Sequence, residues 1–149
     1  MRVVIQRVVS ATVKVDQRSV GSIEKGFVLL VAFQRSDELS TVKKVATKIA
    51  HLRIFSDADD KMNLALDQVG GQVLSIPQFT LYGDVTTGRR PSFTESAAPE
   101  LADTLFSAFN EELRGLGVKV ETGIFQAAML VELINDGPVT IIVDSEDFK

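Results

Sequence analysis

The 149-residue sequence contains no cysteine and only one histidine. The absence of cysteine excludes disulfides, thiol catalysis and cysteine-ligated zinc. No apolar run approaches the ~20 residues that span a bilayer, and the beginning lacks the apolar segment of a signal peptide. We therefore expect a cytoplasmic protein with its own hydrophobic core, folded as a single domain over residues 1–149.

Basic charge is also scarce, since the formal net charge is -4. This balance argues against a generally basic nucleic-acid-binding surface, although a local basic face remains compatible with it. Lys43, Lys44 and Lys48 fall on one predicted helix, and Arg89 and Arg90 fall in a loop. These side chains are either ordinary solvated cations or contacts for phosphate groups, and the sequence leaves both interpretations open.

The few residues that often carry catalysis or bind metals do not form a recognisable motif. His51 has no accompanying Gly-x-Ser-x-Gly nucleophile motif, so we predict a histidine at a helix end rather than a catalytic triad. Asp57, Asp59 and Asp60 lack the glycine and glutamate of a calcium-binding loop, which favours a solvated acidic turn. Glycine-rich phosphate loops are absent as well, and we expect no metal and no cofactor.

Hydrophobic periodicity predicts many strands and two helices. Strands are expected at residues 3–9, 11–15, 20–23, 27–33, 52–55, 73–76, 118–121, 129–134 and 139–143. Ser36 is the expected cap of the first helix, and Pro99 suits the first turn of the second. The predicted buried faces are Leu39, Val42, Val45, Ala46 and Ile49 on the first helix, and Ala102, Leu105, Phe106, Phe109 and Leu113 on the second. Strands in hairpin-like groups predict an α+β fold, with mixed or antiparallel sheets packed by two helices.

Two segments, residues 77–82 and 135–140, place small polar groups within apolar strand sequence. One interpretation is structural: an alternating strand with Phe79 and Leu81 inward, and Gly137-Pro138 as a turn before the last strand. The other is a shared site in which neutral donors and backbone amides stabilise a developing oxyanion. The Gly-Pro bond is one at which a cis peptide costs little. The pattern alone does not decide between the two.

Five segments in order resemble the D-aminoacyl-tRNA deacylases, also called D-tyrosyl-tRNA deacylases. They are residues 1–8, 53–57 with 61–64, 78–84, 88–93 and 135–140. The resemblance covers nearly the whole chain and implies that family's barrel-like, layered arrangement of sheets. Pro77 stands where the family usually has serine, which leaves no hydroxyl at that position. A related branch of tRNA deacylases carries proline there, but it has alanine in place of Phe79.

The resemblance implies hydrolysis of the ester that joins a D-amino acid to the terminal adenosine of tRNA. It assigns Gln78 and the Phe79 amide to anchoring the substrate or the oxyanion. Thr80 is the position sometimes proposed as nucleophile, whereas another view gives the catalytic role to the 2′-hydroxyl of the tRNA. We favour the second view, because a threonine without an adjacent base is a poor nucleophile.

The resemblance also implies a homodimer in which Gly137-Pro138 is cis and reaches into the partner's site, where its carbonyl groups exclude an L side chain. Arg7 is then expected to steady this loop, and Phe125 and Met129 to line the adenine pocket. Two alternatives remain: an enzyme that mainly clears glycine from tRNA, and a non-catalytic RNA-binding accessory domain.

Overall fold

The computed structural model describes residues 1–148. In that part of the chain the strands are β1 (Arg2–Val15), β2 (Arg18–Ile23), β3 (Gly26–Ala32), β4 (Phe55–Ser56), β5 (Met62–Leu64), β6 (Gln72–Pro77), β7 (Lys119–Thr122) and β8 (Leu130–Asp144). The helices are α1 (Leu39–Ala50), α2 (Leu66–Val69) and α3 (Pro99–Gly115), and 3₁₀ helices cover Phe79–Tyr82 and Ser145–Asp147. No helix among residues 1–148 is long and apolar enough to cross a membrane.

Strand β1 is the centre of a six-stranded mixed sheet. It pairs antiparallel with β2, β3 and β8, while β3 with β6 and β6 with β7 are parallel. The sheet curls so that β2 approaches β6 and β7, and it forms a nearly closed barrel. Gly21 permits this approach, because a Cβ atom there would lie 3.0 Å from the carbonyl oxygen of Thr122. The predicted α+β fold with a barrel-like mixed sheet is confirmed.

Strand β3 separates two hydrophobic cores. Phe27 and Leu29 pack with the helices on one face, and Val28 points with Leu74 and Ile76 into the barrel interior. Such a strand needs apolar residues at successive positions, which explains the continuous apolar run predicted to be a buried strand. The two cores together hold the carboxyl ends of β3 and β6 in place.

Helices α1 and α3 cover the outer face of the sheet. The predicted buried face of α3 is confirmed, and so is that of α1 except for Leu39, which is 56% exposed. The cap predicted at Ser36 is wrong. Ser36 lies in a turn in which the Asp37 N–H donates to the Gln34 carbonyl at 3.1 Å, and the helix begins at Leu39 after Glu38.

Several predicted boundaries differ from the structure because pairing between distant strands overrides local pattern. Residues 3–9 and 11–15 belong to the single strand β1, and the predicted strands at 129–134 and 139–143 fall on the single strand β8, which begins at Leu130 and leaves Met129 outside, since β1 and β8 pair along most of their lengths. The predicted strand at 52–55 is reduced to Phe55, which pairs in the short β4–β5 hairpin. The four-residue helix α2 was not predicted.

Candidate functional site

A cleft of about 690 Å³ opens where the ends of β3 and β6 meet the beginning of α3. Its walls are mainly apolar, and the lining includes Phe93, the small residues before α3 and residues of the segment between β7 and β8. Among the described residues that line it, none carries a titratable side chain, and the polar side chains are Gln78, Ser96 and Gln126. The cleft therefore offers neutral hydrogen-bonding groups and backbone amides.

Residues 78–82 turn away from the sheet instead of continuing β6. The Gln78 N–H donates to the Val31 carbonyl at 2.8 Å, and a 3₁₀ helix then begins at Phe79. Phe79 is 57% exposed and lies in the cleft, so the alternative prediction of a strand with Phe79 inward is wrong. A helix leaves its first N–H groups without internal acceptors. Among residues 1–148 the Phe79 N–H has no acceptor elsewhere either, so it can bind a ligand.

Three neighbours hold the beginning of this 3₁₀ helix. The Phe79 and Phe93 rings pack edge to face with centroids 5.1 Å apart. The Ser96 hydroxyl donates to the Phe79 carbonyl at 3.2 Å, and the Gln78 side-chain amide donates to the Thr80 hydroxyl. Phe93 and Ser96 were not predicted as site residues, although Phe93 belongs to one of the five resembling segments. No local sequence pattern predicts the role of Ser96, because its hydrogen bond to Phe79 depends on how the chain folds.

The structure brings together four of the predicted site residues. Gln78, Phe79, Phe125 and Met129 all line the cleft. Phe125 and Met129 lie in the connection from β7 to β8. Thr80 does not line the cleft but is joined to it through Gln78.

Gly137 and Pro138 lie within β8, so the alternative prediction of a turn before the last strand is wrong. They belong to an outward bulge, because Gln6 pairs with Thr140 and Val8 with Asn135, which leaves residues 136–139 opposite a single β1 residue. The Gly137-Pro138 peptide bond is cis, as predicted. Both residues are exposed and do not line the cleft of their own chain.

Two side chains hold this bulge, and one of them is the predicted Arg7. Arg7 is 7% exposed and donates to the carbonyl groups of Asp136 at 3.1 Å and Ile54 at 2.7 Å. Asn135 closes the bulge from within: its Oδ1 accepts from the Val139 N–H at 2.8 Å, and its Nδ2 donates to the Val139 carbonyl at 3.3 Å. The role of Asn135 was missed, although asparagine side chains commonly close backbone loops in this way.

The predicted basic residues lie outside the cleft. Lys43, Lys44 and Lys48 are exposed on α1, and Arg89 and Arg90 are exposed in the loop after the first 3₁₀ helix. None of these five lines the cleft.

His51 and the acidic turn, for which the sequence predicted no catalytic or metal-binding role, make contacts that support the local structure. His51 caps the end of α1, with Nδ1 2.8 Å from the Thr47 carbonyl oxygen. Asp57 accepts backbone N–H groups of Lys61 and Asp59, and the bond from Lys61 is the main reason that the pKa of Asp57 lies below its usual value. Within residues 1–148 no group of three or more His, Asp and Glu is arranged to hold a metal ion.

The fold and the cleft define an α+β protein whose candidate site is built from backbone amides and neutral side chains. A family model described as D-Tyr-tRNA(Tyr) deacylase matches residues 4–144. The D-aminoacyl-tRNA deacylase of Fervidobacterium nodosum is 56% identical over 146 residues, which cover 98% of each chain. That of Geobacillus sp. (strain WCH70) is 55% identical over 147 residues, 99% of this chain and 97% of the other. This chain belongs to the D-Tyr-tRNA(Tyr) deacylase family.

Two solved structures share the fold. One, described as c-Myc DNA Unwinding Element Binding Protein, has a TM-score of 0.90 at 31% identity and covers 97% of this chain and 98% of its own. The other, described as a probable eukaryotic D-amino acid tRNA deacylase, has a TM-score of 0.83 at 18% identity and covers 95% and 97%. At that identity the second likeness concerns the fold alone.

Proposed function

We propose that this protein hydrolyses the ester bond of D-aminoacyl-tRNA and releases the free D-amino acid and the tRNA. The observation that carries the proposal is the convergence of Gln78, Phe79, Phe125 and Met129 in one cleft without a titratable side chain. Relatives more than half identical to this chain are named for the same reaction. Since translation uses aminoacyl-tRNA, we also propose a cytoplasmic location.

The shape and lining of the cleft suit the aminoacylated end of a tRNA. Its volume of about 690 Å³ lies within the ~300–1,000 Å³ of typical small-molecule sites. Phe125 and Met129 offer an aromatic face and a polarisable thioether for the adenine ring. Phe79 belongs to the same lining, and we assign its N–H to the carbonyl of the aminoacyl ester.

The reaction proceeds by attack of water on the ester carbonyl, formation of a tetrahedral oxyanion, and cleavage of the bond to the ribose oxygen, which takes up a proton. The Phe79 N–H and the Gln78 amide are neutral donors that stabilise the oxyanion. Because the lining residues include no base, we assign the orientation of the water to the neighbouring 2′-hydroxyl of the tRNA. Thr80 accepts a hydrogen bond from Gln78 and keeps a supporting role.

We propose that Gly137-Pro138 of a second subunit enters the cleft and rejects L-amino acids. The loop is exposed, held in shape by Arg7 and Asn135, and absent from the lining of its own chain's cleft. Rigid backbone oxygens near the chiral carbon penalise the L side chain sterically and leave the D side chain an open path. Among the described strands β8 pairs only with β1, and its exposed apolar side chains, Leu130, Ile134 and Ile142, suit contact with a second copy.

The decisive experiment compares hydrolysis of D-tyrosyl-, L-tyrosyl- and glycyl-tRNA by the same preparation. We expect the D-tyrosyl ester to be cleaved at least about 100-fold faster than the L-tyrosyl ester, a difference of ~2.7 kcal/mol in transition-state free energy. Equal rates would refute chiral selection. Rapid cleavage of the achiral glycyl ester would extend the function to the removal of glycine. Inactivity on all three would favour the RNA-binding accessory domain instead.

The homodimer and the tRNA contacts have their own tests. Light scattering is expected to give a dimer, and a fully active monomer would refute the insertion of Gly137-Pro138 into a partner. We propose that Lys43, Lys44, Arg89 and Arg90 contact tRNA phosphates. Neutralising a contacting pair is expected to weaken binding and reduce the slope of log affinity against log salt concentration, and an unchanged slope would remove that pair from the interface.

A further inference from the structure

The Arg2 side chain, on β1, connects the first 3₁₀ helix to β8. Its Nε and Nη2 each lie 2.9 Å from Asp144 Oδ2, and its Nη1 donates to the Leu81 carbonyl at 3.0 Å. The same guanidinium lies over the Tyr82 ring, 4.9 Å from the centroid. Arg2 therefore contacts both of the last two residues of the helix that begins at Phe79.

The direction of the guanidinium is set by the β-sheet. Arg2 and Asp144 are cross-strand partners in the β1–β8 register, which brings their side chains together. Because the guanidinium is a planar fork, fixing one side of it on a carboxylate also fixes where its other nitrogen points. Asp144 is in turn held by the Glu146 N–H, which donates to its Oδ1 at 3.0 Å.

The 3₁₀ helix needs such a support. A single 3₁₀ turn has poor hydrogen-bond geometry, and its last carbonyl groups have no partner within the helix. Arg2 supplies one of these partners and places a positive charge at the carboxyl end of the turn, where it is favourable. Burial raises the pKa of the Tyr82 hydroxyl, and that hydroxyl has no hydrogen-bond partner among the described residues. Arg2 is thus the polar contact that holds the ring.

We propose that Arg2, oriented by Asp144, is a positioning residue that fixes the 3₁₀ helix and with it the direction of the Phe79 N–H. The proposal rests on the proposed function, in which this N–H binds the oxyanion. Ser96 holds the Phe79 carbonyl at one end of the helix, and Arg2 holds Leu81 and Tyr82 at the other. Loss of Arg2 leaves one end unsupported without removing any group that contacts substrate.

The kinetic test compares Arg2→Met and Asp144→Asn with the control Arg114→Met. Arg114 likewise pairs with a carboxylate, that of Glu111 at 2.6 Å, and donates to a backbone carbonyl, that of Val120 at 3.0 Å, but it lies near the end of α3 and does not line the cleft. We expect Arg2→Met to lower kcat on D-tyrosyl-tRNA about tenfold and to change KM less than about twofold, because misplacing a catalytic group affects the transition state most. Asp144→Asn is expected to lower kcat about threefold, since it weakens only the orientation of the guanidinium. The control is expected to keep the wild-type kcat.

Hydrogen exchange tests the same proposal without relying on activity. The Leu81 and Gly83 N–H groups donate to the carbonyls of Gln78 and Thr80 at 3.2 and 2.9 Å, so their exchange reports opening of the helix. We expect exchange at least about fivefold faster in Arg2→Met and unchanged in Arg114→Met. Unchanged exchange in Arg2→Met, or an equal loss of kcat in Arg114→Met, would overturn the proposal. A wild-type protein inactive on every aminoacyl-tRNA would instead refute the proposed function, while faster exchange in Arg2→Met would still support Arg2 as the support of the helix.

Discussion

Replacing Arg7 by methionine removes a support of the Gly137-Pro138 bulge and leaves Gly137 and Pro138 themselves unchanged. Arg7 is 7% exposed and donates to two backbone carbonyl groups, those of Ile54 and Asp136. Hydrogen bonds from a charged donor contribute ~1.5–3 kcal/mol each to stability. Removing the buried charge recovers part of the cost of its desolvation, since methionine fills similar space. We therefore expect a net loss of about 3 kcal/mol in the free energy of unfolding.

Urea unfolding at a fixed protein concentration measures this loss. With a slope near 2 kcal/mol/M, a loss of about 3 kcal/mol lowers the midpoint by about 1.5 M. The matched control is Arg53→Met, because Arg53 also donates to a backbone carbonyl, that of Asn63 at 2.8 Å, but is exposed. The control is expected to lose less than about 1 kcal/mol.

The same variant tests the link between the bulge and selectivity. If Arg7 holds the loop that rejects L-amino acids, Arg7→Met is expected to narrow the D-to-L rate ratio by about tenfold at a temperature where it remains folded. Arg53→Met is expected to keep the wild-type ratio. A loss of stability equal to that of the control, or a destabilised variant with unchanged selectivity, would refute the reasoning.

Three further predictions follow from the site and its surroundings. Thr80→Val is expected to keep kcat within about fivefold, whereas a substrate ending in 2′-deoxyadenosine is expected to lose about 100-fold or more, and the reverse order would make Thr80 the nucleophile. Asn135→Ala is expected to cost about 1–2 kcal/mol in urea unfolding, because the buried partners of its amide lose their bonds, and an unchanged midpoint would contradict its role in the bulge. Burial alone would raise the pKa of Asp144, but hydrogen bonds from the Glu146 N–H and Arg2 outweigh it and hold the pKa below its usual value. Its stabilisation is therefore present above its unfolded pKa of about 3.9 and is lost as the pH falls through the lower folded value, so the stability of Asp144→Asn is expected to vary less with pH below about 4.

Features that depend on local pattern were predicted from the sequence. The buried strand at residues 27–33 and the apolar face of α3 follow from continuous or periodic apolar residues, and both are confirmed. The helix over Phe79–Tyr82 was not predicted, because its residues alternate like a strand. The chain leaves the sheet directly after Gln78, whose N–H makes a tertiary hydrogen bond to the Val31 carbonyl.

The candidate site shows the same limit. Gln78 and Phe79 lie in a segment that the polar pattern singled out and the family resemblance then assigned, whereas Phe125 and Met129 came from the resemblance alone, and no periodicity brings such distant segments together. Arg2 and Asp144 lie 142 positions apart in the chain, and only the register of β1 against β8 makes them neighbours. Side chains that support a site from outside therefore become visible only once the strands are paired.

Strand β1 carries the side chains that support both the first 3₁₀ helix and the β8 bulge, and it therefore fixes the distance between these two supports. Arg2 reaches the helix that presents Phe79, and Arg7, five residues further along the same strand, reaches the bulge that carries Gly137-Pro138. At ~3.3 Å per residue these two anchor points are about 16 Å apart. Since β1 is bonded to strands on both sides, thermal motion changes this spacing little. In the dimer that we propose, each subunit is a rigid spacer that carries a cleft at one anchor point and a loop at the other, so two copies related by a twofold axis can exchange their loops without deforming either chain.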